Sequence, residues 1–263
     1  MPAVADNETP PTVDKSGEKV RAMFGEIAPK YDRMNHLLSM NVDRYWRWRT
    51  VRKVSPLMES ASSQSSQSSQ SSLAGLPILD VCTGTGDLAI AYSNRARQKL
   101  NVIGADFCPE MLEIARTKQQ RKAIPSDRLS FVEADAQQLP FDDDRFQIVS
   151  VAFGLRNVAD TLQGLREMTR VCAPGGRVAV LEFSMPRAPV IKQGYAWYFK
   201  HVLPKIGRLF ASNSKDAYQY LPDTVGEFPA YQQLADLMLA AGLSRAAFFP
   251  LNFGIATLYV GTK

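Results

Sequence analysis

Residues 77–90, PILDVCTGTGDLAI, decide the fold. Ile78–Val81 is a short apolar run, as expected of a strand in a buried sheet. The stretch Asp80-Val81-Cys82-Thr83-Gly84-Thr85-Gly86-Asp87 follows that strand and opens a helix, whose spacing continues through Leu88, Ala91 and Tyr92. Gly84 and Gly86 are expected to let the backbone approach a ligand where a Cβ would clash.

Outward from this loop the chain alternates. Val102–Ala105 reads as a second strand, ending at Asp106. Pro109 sits where a first helical turn begins, with Met111, Leu112 and Ala115 behind it. Leu129–Val132 and Phe146–Val151 read as further strands. A helix over 159–171 and a strand over Val178–Phe183 follow, split by the turn signal Pro174-Gly175-Gly176. Phe248–Pro250 and Ile255–Val260 read as two adjacent strands in a hairpin-like arrangement. The sum is an α/β fold of seven strands, mostly parallel, with helices on both faces.

The loop and Asp106 together suggest a nucleotide site. Asp106 stands twenty residues beyond Gly86, where an acid can accept both hydroxyls of a ribose. A dinucleotide fingerprint requires GxGxxG. Here the spacing is DxxxGxG, with Cys82 where the other class of site, for S-adenosylmethionine, usually has its first glycine; that cofactor has no pyrophosphate to cradle. Glu133-Ala134-Asp135-Ala136 ends the third strand, where Asp135 can bind an adenine amino group or merely cap a turn.

Composition narrows the class. The chain has 263 residues, 45% hydrophobic and 22% charged, enough for one large domain or two small ones. Its three cysteines form no CxxC pair, and its two histidines are His36 and His201. No disulfide framework and no metal site are expected, and a reducing, cytoplasmic compartment is the default. No apolar window is long enough to span a membrane, and the N-terminus does not read as a signal peptide.

Residues 1–17 read as a flexible tail, and residues 18–58 as a helical cover. Within the cover, Val20, Met23, Phe24 and Ile27 follow helical spacing to a stop at Pro29. Two more helical segments follow, over about 32–40 and 42–54. Residues 59–75 contain a Ser/Gln-rich stretch expected to be disordered. The remainder, 76–263, is the α/β domain, interrupted by a helical insertion at 188–226.

The net charge of +5 is unevenly placed. Residues 14–53 hold ten Lys/Arg against five Asp/Glu, and residues 183–215 hold six Lys/Arg and no acid. Basic stretches suit nucleic acid, anionic lipid or an acidic substrate. A noncatalytic nucleic-acid protein would have no need of Gly84, Gly86 and Asp106 together, so no nucleic-acid partner is expected.

Several segments together resemble a known family: FGEIAPKYDRMNHLLSMNVDRYWR at 24–47, LDVCTGTGDL at 79–88, GADFCPEML at 104–112, ADAQQLPF at 134–141, FGLRNV at 153–158 and APGGRVAVLEFSMP at 173–186. The pattern SxxAYxYLPDTVxxFP at 214–229 extends the likeness. The chain is similar to the C-methyltransferases of ubiquinone and menaquinone biosynthesis, within the class I S-adenosylmethionine-dependent methyltransferases. That resemblance implies a Rossmann-like fold with S-adenosylmethionine as cofactor. It implies cofactor contacts from Thr85 and the glycine loop, Asp106, Asp135 and Ala136. The family usually has Ser where this chain has Ala152, which leaves only a backbone contact there.

The resemblance also implies a prenylated quinol as substrate, with demethylmenaquinol favoured over the ubiquinone precursor. The acceptor would be a ring carbon, activated when an ortho hydroxyl loses its proton. Arg156 can stabilise that oxyanion, orient a water, or simply pair with Asp160 or another acid. Asn157 lies in the same motif, as a site residue or as a helix-entry cap. Tyr31 sits in the cover over the cofactor, closing on the methyl donor or anchoring its helix. Glu182 ends the fifth strand at the same edge, to touch substrate or hold the lid. His36 reads as a structural histidine, and Cys82 as a packing residue rather than a nucleophile. A quinol with an isoprenoid tail must be delivered from a bilayer. Peripheral membrane contact is therefore expected at 187–215, with Lys192, Lys200, Lys205 and Arg208 toward anionic headgroups.

Overall fold

The computed structural model describes residues 17–60, 73–96, 99–201 and 224–263. Most of the expected tail, the Ser/Gln-rich stretch 61–72 and the insertion's residues 202–223, with Lys205 and Arg208, lie outside the described residues. Two helices, α1 (Gly17–Leu38) and α2 (Val42–Ser60), precede the sheet. Alternation then runs β1 (Ile78–Val81), α3 (Asp87–Ala96), β2 (Val102–Asp106), α4 (Pro109–Arg121), β3 (Leu129–Glu133) and β4 (Phe146–Ala152). It continues with α5 (Thr161–Val171), β5 (Cys172–Phe183), α6 (Pro189–His201), α7 (Gln232–Ala240), β6 (Arg245–Leu251) and β7 (Ala256–Thr262).

The seven strands lie in the order β3-β2-β1-β4-β5-β7-β6. β1 is central because all four of its residues are buried, and an apolar run can sit only where both faces are covered. It pairs in parallel with β2 through Ile78↔Val102 and with β4 through Ile78↔Ile148. β7 runs antiparallel between β5 and β6, with Glu182↔Thr257 and Phe248↔Tyr259 in register. The expected hairpin-like pair is this β6–β7 ribbon, closed by the turn Asn252–Gly254.

Helices cover both faces. On one, Leu79, Val81, Val149 and Val151 pack with Leu165 and Met168 of α5 and Leu234 and Met238 of α7. On the other, Ile78, Val102 and Ile148 pack with Val51 and Val54 of α2, Leu88 and Tyr92 of α3 and Leu112 of α4. The chain reverses direction of winding at β1, with β2 on one side and β4 on the other. The carboxyl ends of these strands open a crevice, where ligands bind in open α/β sheets.

Three expectations change. Pro29 does not end a helix: α1 runs through it as one helix. Proline has no N–H to give the Gly25 carbonyl, but Ala28 packs against Cys108 and Met111 of α4. Ile27 and Met34 are buried as well. Tertiary burial on both sides of the proline outweighs the local break. Second, Pro174-Gly175-Gly176 is an excursion inside β5 rather than a break before it. The register to β4 slips from Phe146↔Cys172 to Ile148↔Arg177. Third, Leu73, placed in the expected disordered stretch, is buried in the second core cluster.

Gly86 also has a reason beyond the one expected. Its φ is +81°, and a Cβ there would come within 2.9 Å of Phe131 Cζ and 3.0 Å of Ala115 Cβ. Packing against β3 and α4 by itself requires a glycine here, whatever the loop binds. Gly86→Ala is expected to lose about 2–4 kcal/mol, from overpacking and from a left-handed backbone. Thermal denaturation should show a drop of several degrees. A melting temperature unchanged in that variant would refute the packing argument.

Candidate active site

A cleft of about 750 Å³, counting its open mouth, lies at the carboxyl ends of β1, β2 and β4. Its walls include Tyr31, Cys82, Gly84, Asp106, Met111, Asp135, Ala136, Ala152, Phe153 and Asn157. A smaller recess adjoins it, sharing Tyr31, Cys82, Gly84, Ala152 and Phe153 and adding Asn35, Arg47, Asp80 and Thr85. Nine of the ten expected site residues therefore line one continuous cavity or its recess or, for Gly86, shape its loop.

Asp106 closes β2. Its carboxylate accepts hydrogen bonds from the backbone N–H of Gly84, 2.7 Å, and of Cys108, 3.0 Å. The first bond ties the glycine loop to the neighbouring strand. The second braces the turn at Cys108 that leads into α4. Burial raises the Asp106 carboxyl pKa, while the N–H groups of Cys108 and Gly84 oppose the rise. Each carboxylate oxygen can accept more than one hydrogen bond, and Asp106 lines the cleft.

Gly84 has φ +55°, and a Cβ there would have only Tyr31 Cε1 near it, at 3.9 Å. None of the other described residues fills that space, so here the backbone is bare toward the cleft, as a ligand would require. Asp80 lies beneath the loop, accepting from Thr83 Oγ1 at 2.6 Å and Ser150 Oγ at 3.1 Å. Its burial pushes its carboxyl up to about 7. The sequence placed Asp80 in the loop motif without giving it a role. Its position at the strand end, three residues before the paired Thr83, was the available signal.

Thr85 is engaged from the other side. Its hydroxyl donates to Asp32 Oδ1 of α1 at 2.5 Å and accepts from Lys118 Nζ of α4 at 2.9 Å. Lys118 also pairs with Asp32 at 2.5 Å and Asp87 at 2.6 Å. Burial alone would raise the Asp87 carboxyl, but Arg47 and Lys118 outweigh it and hold its pKa below the usual range. This charged cluster fastens α1 across the loop and places Tyr31 over Gly84. Burial raises the Tyr31 hydroxyl pKa, with the Arg156 charge opposing. Tyr31 is thus a proton-bearing donor at neutral pH.

Asp135 is exposed and accepts from the Gln137 backbone N–H at 2.9 Å. It caps its turn and borders the cleft at once, so the two readings of it are compatible. Ala136 beside it is buried. Cys82 lines the cleft with its thiol held well above the usual range by burial, then by Asp106. A protonated, buried thiol packs and does not attack. His36 Nδ1 donates to the Asp43 carboxylate at 2.9 Å, a structural partner as expected.

FGLRNV forms the bend after β4. Phe153 has φ +58°. A Cβ at Gly154 would lie 2.4 Å from Cys82 Cβ, so this bend presses directly on the glycine loop. Phe153 stacks on Phe183 at 4.5 Å, and Trp46 of α2 touches both rings at 5.8 and 5.9 Å.

Arg156 and Asn157 occupy the short helical turn Leu155–Asn157. Arg156, like Gly86, is an expected site residue that does not line the cavity. It is buried, and its Nη1 pairs with Glu182 at 3.0 and 3.2 Å and donates to the Phe153 carbonyl. The partner is Glu182 and not Asp160. Asp160 instead caps α5 by accepting from Gln163 N at 2.9 Å, which also removes the cap reading of Asn157. The Arg156 Nε and the Asn157 Oδ1 are buried and have no hydrogen-bond partner among the described residues. Buried polar groups are nearly always satisfied, so both point to a missing partner beside the cleft. Tyr195 of α6 feels the Arg156 charge, which opposes the rise that burial gives its hydroxyl.

A bare loop backbone, a buried acid with spare lone pairs at the second strand end and unpartnered polar atoms nearby suit S-adenosylmethionine. Comparisons with known proteins agree. The model of the ubiE/COQ5 methyltransferase family matches residues 12–263. A ubiquinone/menaquinone biosynthesis C-methyltransferase of Geobacter sp. (strain M21) is 43% identical over 251 residues, covering 95% of this chain and 99% of the relative. A demethylmenaquinone methyltransferase of Deinococcus radiodurans is 43% identical over 256 residues, covering 97% of each. Among solved structures, a SAM-dependent methyltransferase from Thermotoga maritima shares the fold at a TM-score of 0.54 and 16% identity, covering 93% of this chain and 99% of that one. Haemonchus contortus phosphoethanolamine N-methyltransferase 2, bound to S-adenosylmethionine, superposes at a TM-score of 0.53 and 14% identity over 72% of this chain and 49% of that one. The chain belongs to the ubiE/COQ5 methyltransferase family, and S-adenosylmethionine is its cofactor.

Proposed function

We propose that the protein methylates a ring carbon of a prenylated quinol in quinone biosynthesis, with demethylmenaquinol as the substrate. The relatives named above, from both the ubiquinone/menaquinone and the demethylmenaquinone groups, support the class of reaction. The observation that carries the substrate reading is the wall beyond the cofactor loop. There Phe153 faces the cleft, and Phe183 and Trp46 pack behind it beside a buried guanidinium.

In this reading Asp106 accepts the two ribose hydroxyls, and Asp135 and the Ala136 backbone meet the adenine. The Gly84 backbone, Thr85 and Ala152 border the amino-acid end. When bound, S-adenosylmethionine supplies an electrophilic methyl on a sulfonium sulfur. The protein's part is alignment and charge. Transfer requires the acceptor carbon, methyl and sulfur to be in line, and Tyr31 closes the cleft above Gly84. Asn157 Oδ1 accepts a hydrogen bond from the acceptor's hydroxyl. The Nε–H of Arg156 stabilises the oxygen as its proton passes to water, and the hydrogen that the methyl displaces from the ring carbon leaves the same way, with Glu182 holding the guanidinium in place. Burial makes such a donor worth more than it would be in water.

The test is methyl transfer measured on reduced demethylmenaquinone and on the 2-polyprenyl-6-methoxy-benzoquinol of the ubiquinone pathway. Turnover on the first and little on the second is expected. Preference for the second would replace the substrate and keep the reaction. Activity on neither, with a soluble phenol methylated instead, would end the quinol reading.

A further inference from the structure

We infer that the outer face of α2, together with the α1–α2 turn and the β6–β7 turn, is a docking surface for an anionic lipid bilayer. The expectation from sequence placed membrane contact at 187–215. Of that segment 187–201 are described, and the described residues carry another basic and aromatic face on α2.

Along α2, Arg44, Tyr45, Trp48, Arg49, Arg52 and Lys53 are all exposed. Their spacing of four and five residues puts them on one side of the helix. The opposite side carries the buried residues Trp46, Thr50, Val51 and Val54. The exposed side is therefore not a core face left bare. It combines four cations with two aromatic rings, and Asp43, the acid of its first turn, is buried. Among the described residues no acidic side chain pairs with Arg44, Arg49 or Arg52.

The aromatic rings are arranged outward. Tyr45 and Trp48 stack at 5.9 Å with 29° between planes, and Arg52 lies 4.8 Å over the indole. Tyr45 is 46% and Trp48 47% exposed, large fractions for rings of this size. Two neighbouring turns extend the apolar part. Met40, at φ +51° in the α1–α2 turn, is 77% exposed. Phe253, at φ +60° in the β6–β7 turn, is also 77% exposed. Trp46 Nε1 donates to Asn252 Oδ1 at 2.7 Å, which locks that turn to the flank of α2.

Tyr and Trp prefer the headgroup level of a bilayer, and Arg and Lys around them are drawn to anionic lipid. Charge complementarity and outward aromatics together select a bilayer over a nucleic acid, since Met40 and Phe253 have nothing to gain from phosphates. The inner side of the same helix carries Trp46, against Phe153 and Phe183. Docking α2 flat would bring the reaction chamber within about one helix diameter, roughly 10 Å, of the headgroups. That advantage rests on the quinol reading above. The docking itself does not.

The experiment is cosedimentation of the full chain with vesicles, one set phosphatidylcholine and one set 3:1 phosphatidylcholine to phosphatidylglycerol, without quinol or cofactor. Binding is expected to the anionic set and to weaken with salt. Each cation near such a surface contributes roughly five-fold. The R44Q/R49Q/R52Q variant should therefore partition on the order of 100-fold less. Y45S/W48S should lose roughly tenfold. Both variants should keep the melting temperature and S-adenosylmethionine affinity, because surface substitutions change stability little. A V190S/W197S variant of α6 should bind as well as the parent chain. The proposal is overturned if the parent chain ignores anionic vesicles, if the α2 variants bind normally, or if the α6 variant alone loses binding. It is equally overturned if the chain retains polyuridylate and not vesicles. Failure of the quinol assay would leave all these outcomes unchanged.

Discussion

Arg156→Leu is expected to lower both the melting temperature and the turnover. Removing the guanidinium leaves Glu182 buried and unpaired, and breaking such a pair costs about 3–5 kcal/mol. For a domain of this size each kcal/mol lowers the melting temperature by roughly 2–4 °C. If Arg156 also stabilises the developing oxyanion, turnover falls by a further ~10²–10³. The single variant mixes the two effects. Arg156→Leu combined with Glu182→Gln separates them. Gln keeps an acceptor for the Phe183 backbone N–H, which Glu182 now serves at 3.1 Å, and it carries no charge to strand. Stability should largely return in the double variant, while turnover stays low. Turnover that returned with stability would make Arg156 a structural residue. Arg156→Lys should lie between, since a point charge cannot replace the planar fork.

Asp106→Ala should weaken S-adenosylmethionine binding by about 1.5–3 kcal/mol, the worth of hydrogen bonds to a charged acceptor. It should also loosen the loop, because the N–H groups of Gly84 and Cys108 lose their acceptor. Asp106→Asn keeps one carbonyl oxygen and should lose less. Calorimetric titration gives the affinities, and unchanged affinity in the alanine variant would remove Asp106 from the site. The pH dependence has a definite sign. Burial raises the pKa of Asp106, so on acidification the carboxylate takes a proton earlier than an exposed aspartate would. Cofactor affinity should therefore fall as the pH drops through that raised pKa, and the Asp106→Asn profile should be flat in the same window. Asp135→Ala should have the smaller effect, since one exposed contact is lost.

The sequence by itself determined the sheet and the end of it that matters. Short apolar runs separated by helical spacing permit little but a parallel sheet, and the loop after β1 with an acid at the end of β2 marks the binding edge. These signals are local, carried by neighbours in the chain, and Asp106, Gly84 and Asp135 were legible from them. Long-range packing decided the rest. Pro29 reads as a helix stop until Ala28 is seen against Cys108 and Met111, residues about eighty positions away. Gly86 reads as a ligand glycine, and only the fold adds that Phe131 lies where its Cβ would be. Arg156 reads as a cleft residue, yet its partner is Glu182, twenty-six positions on, on the strand beside β4. The same holds for the α2 face. Its residues are basic and aromatic on paper, but only the fold shows Trp46 turned inward while Tyr45 and Trp48 face solvent. Such outcomes depend on which distant surface fills a given space, and chain order carries no direct record of that.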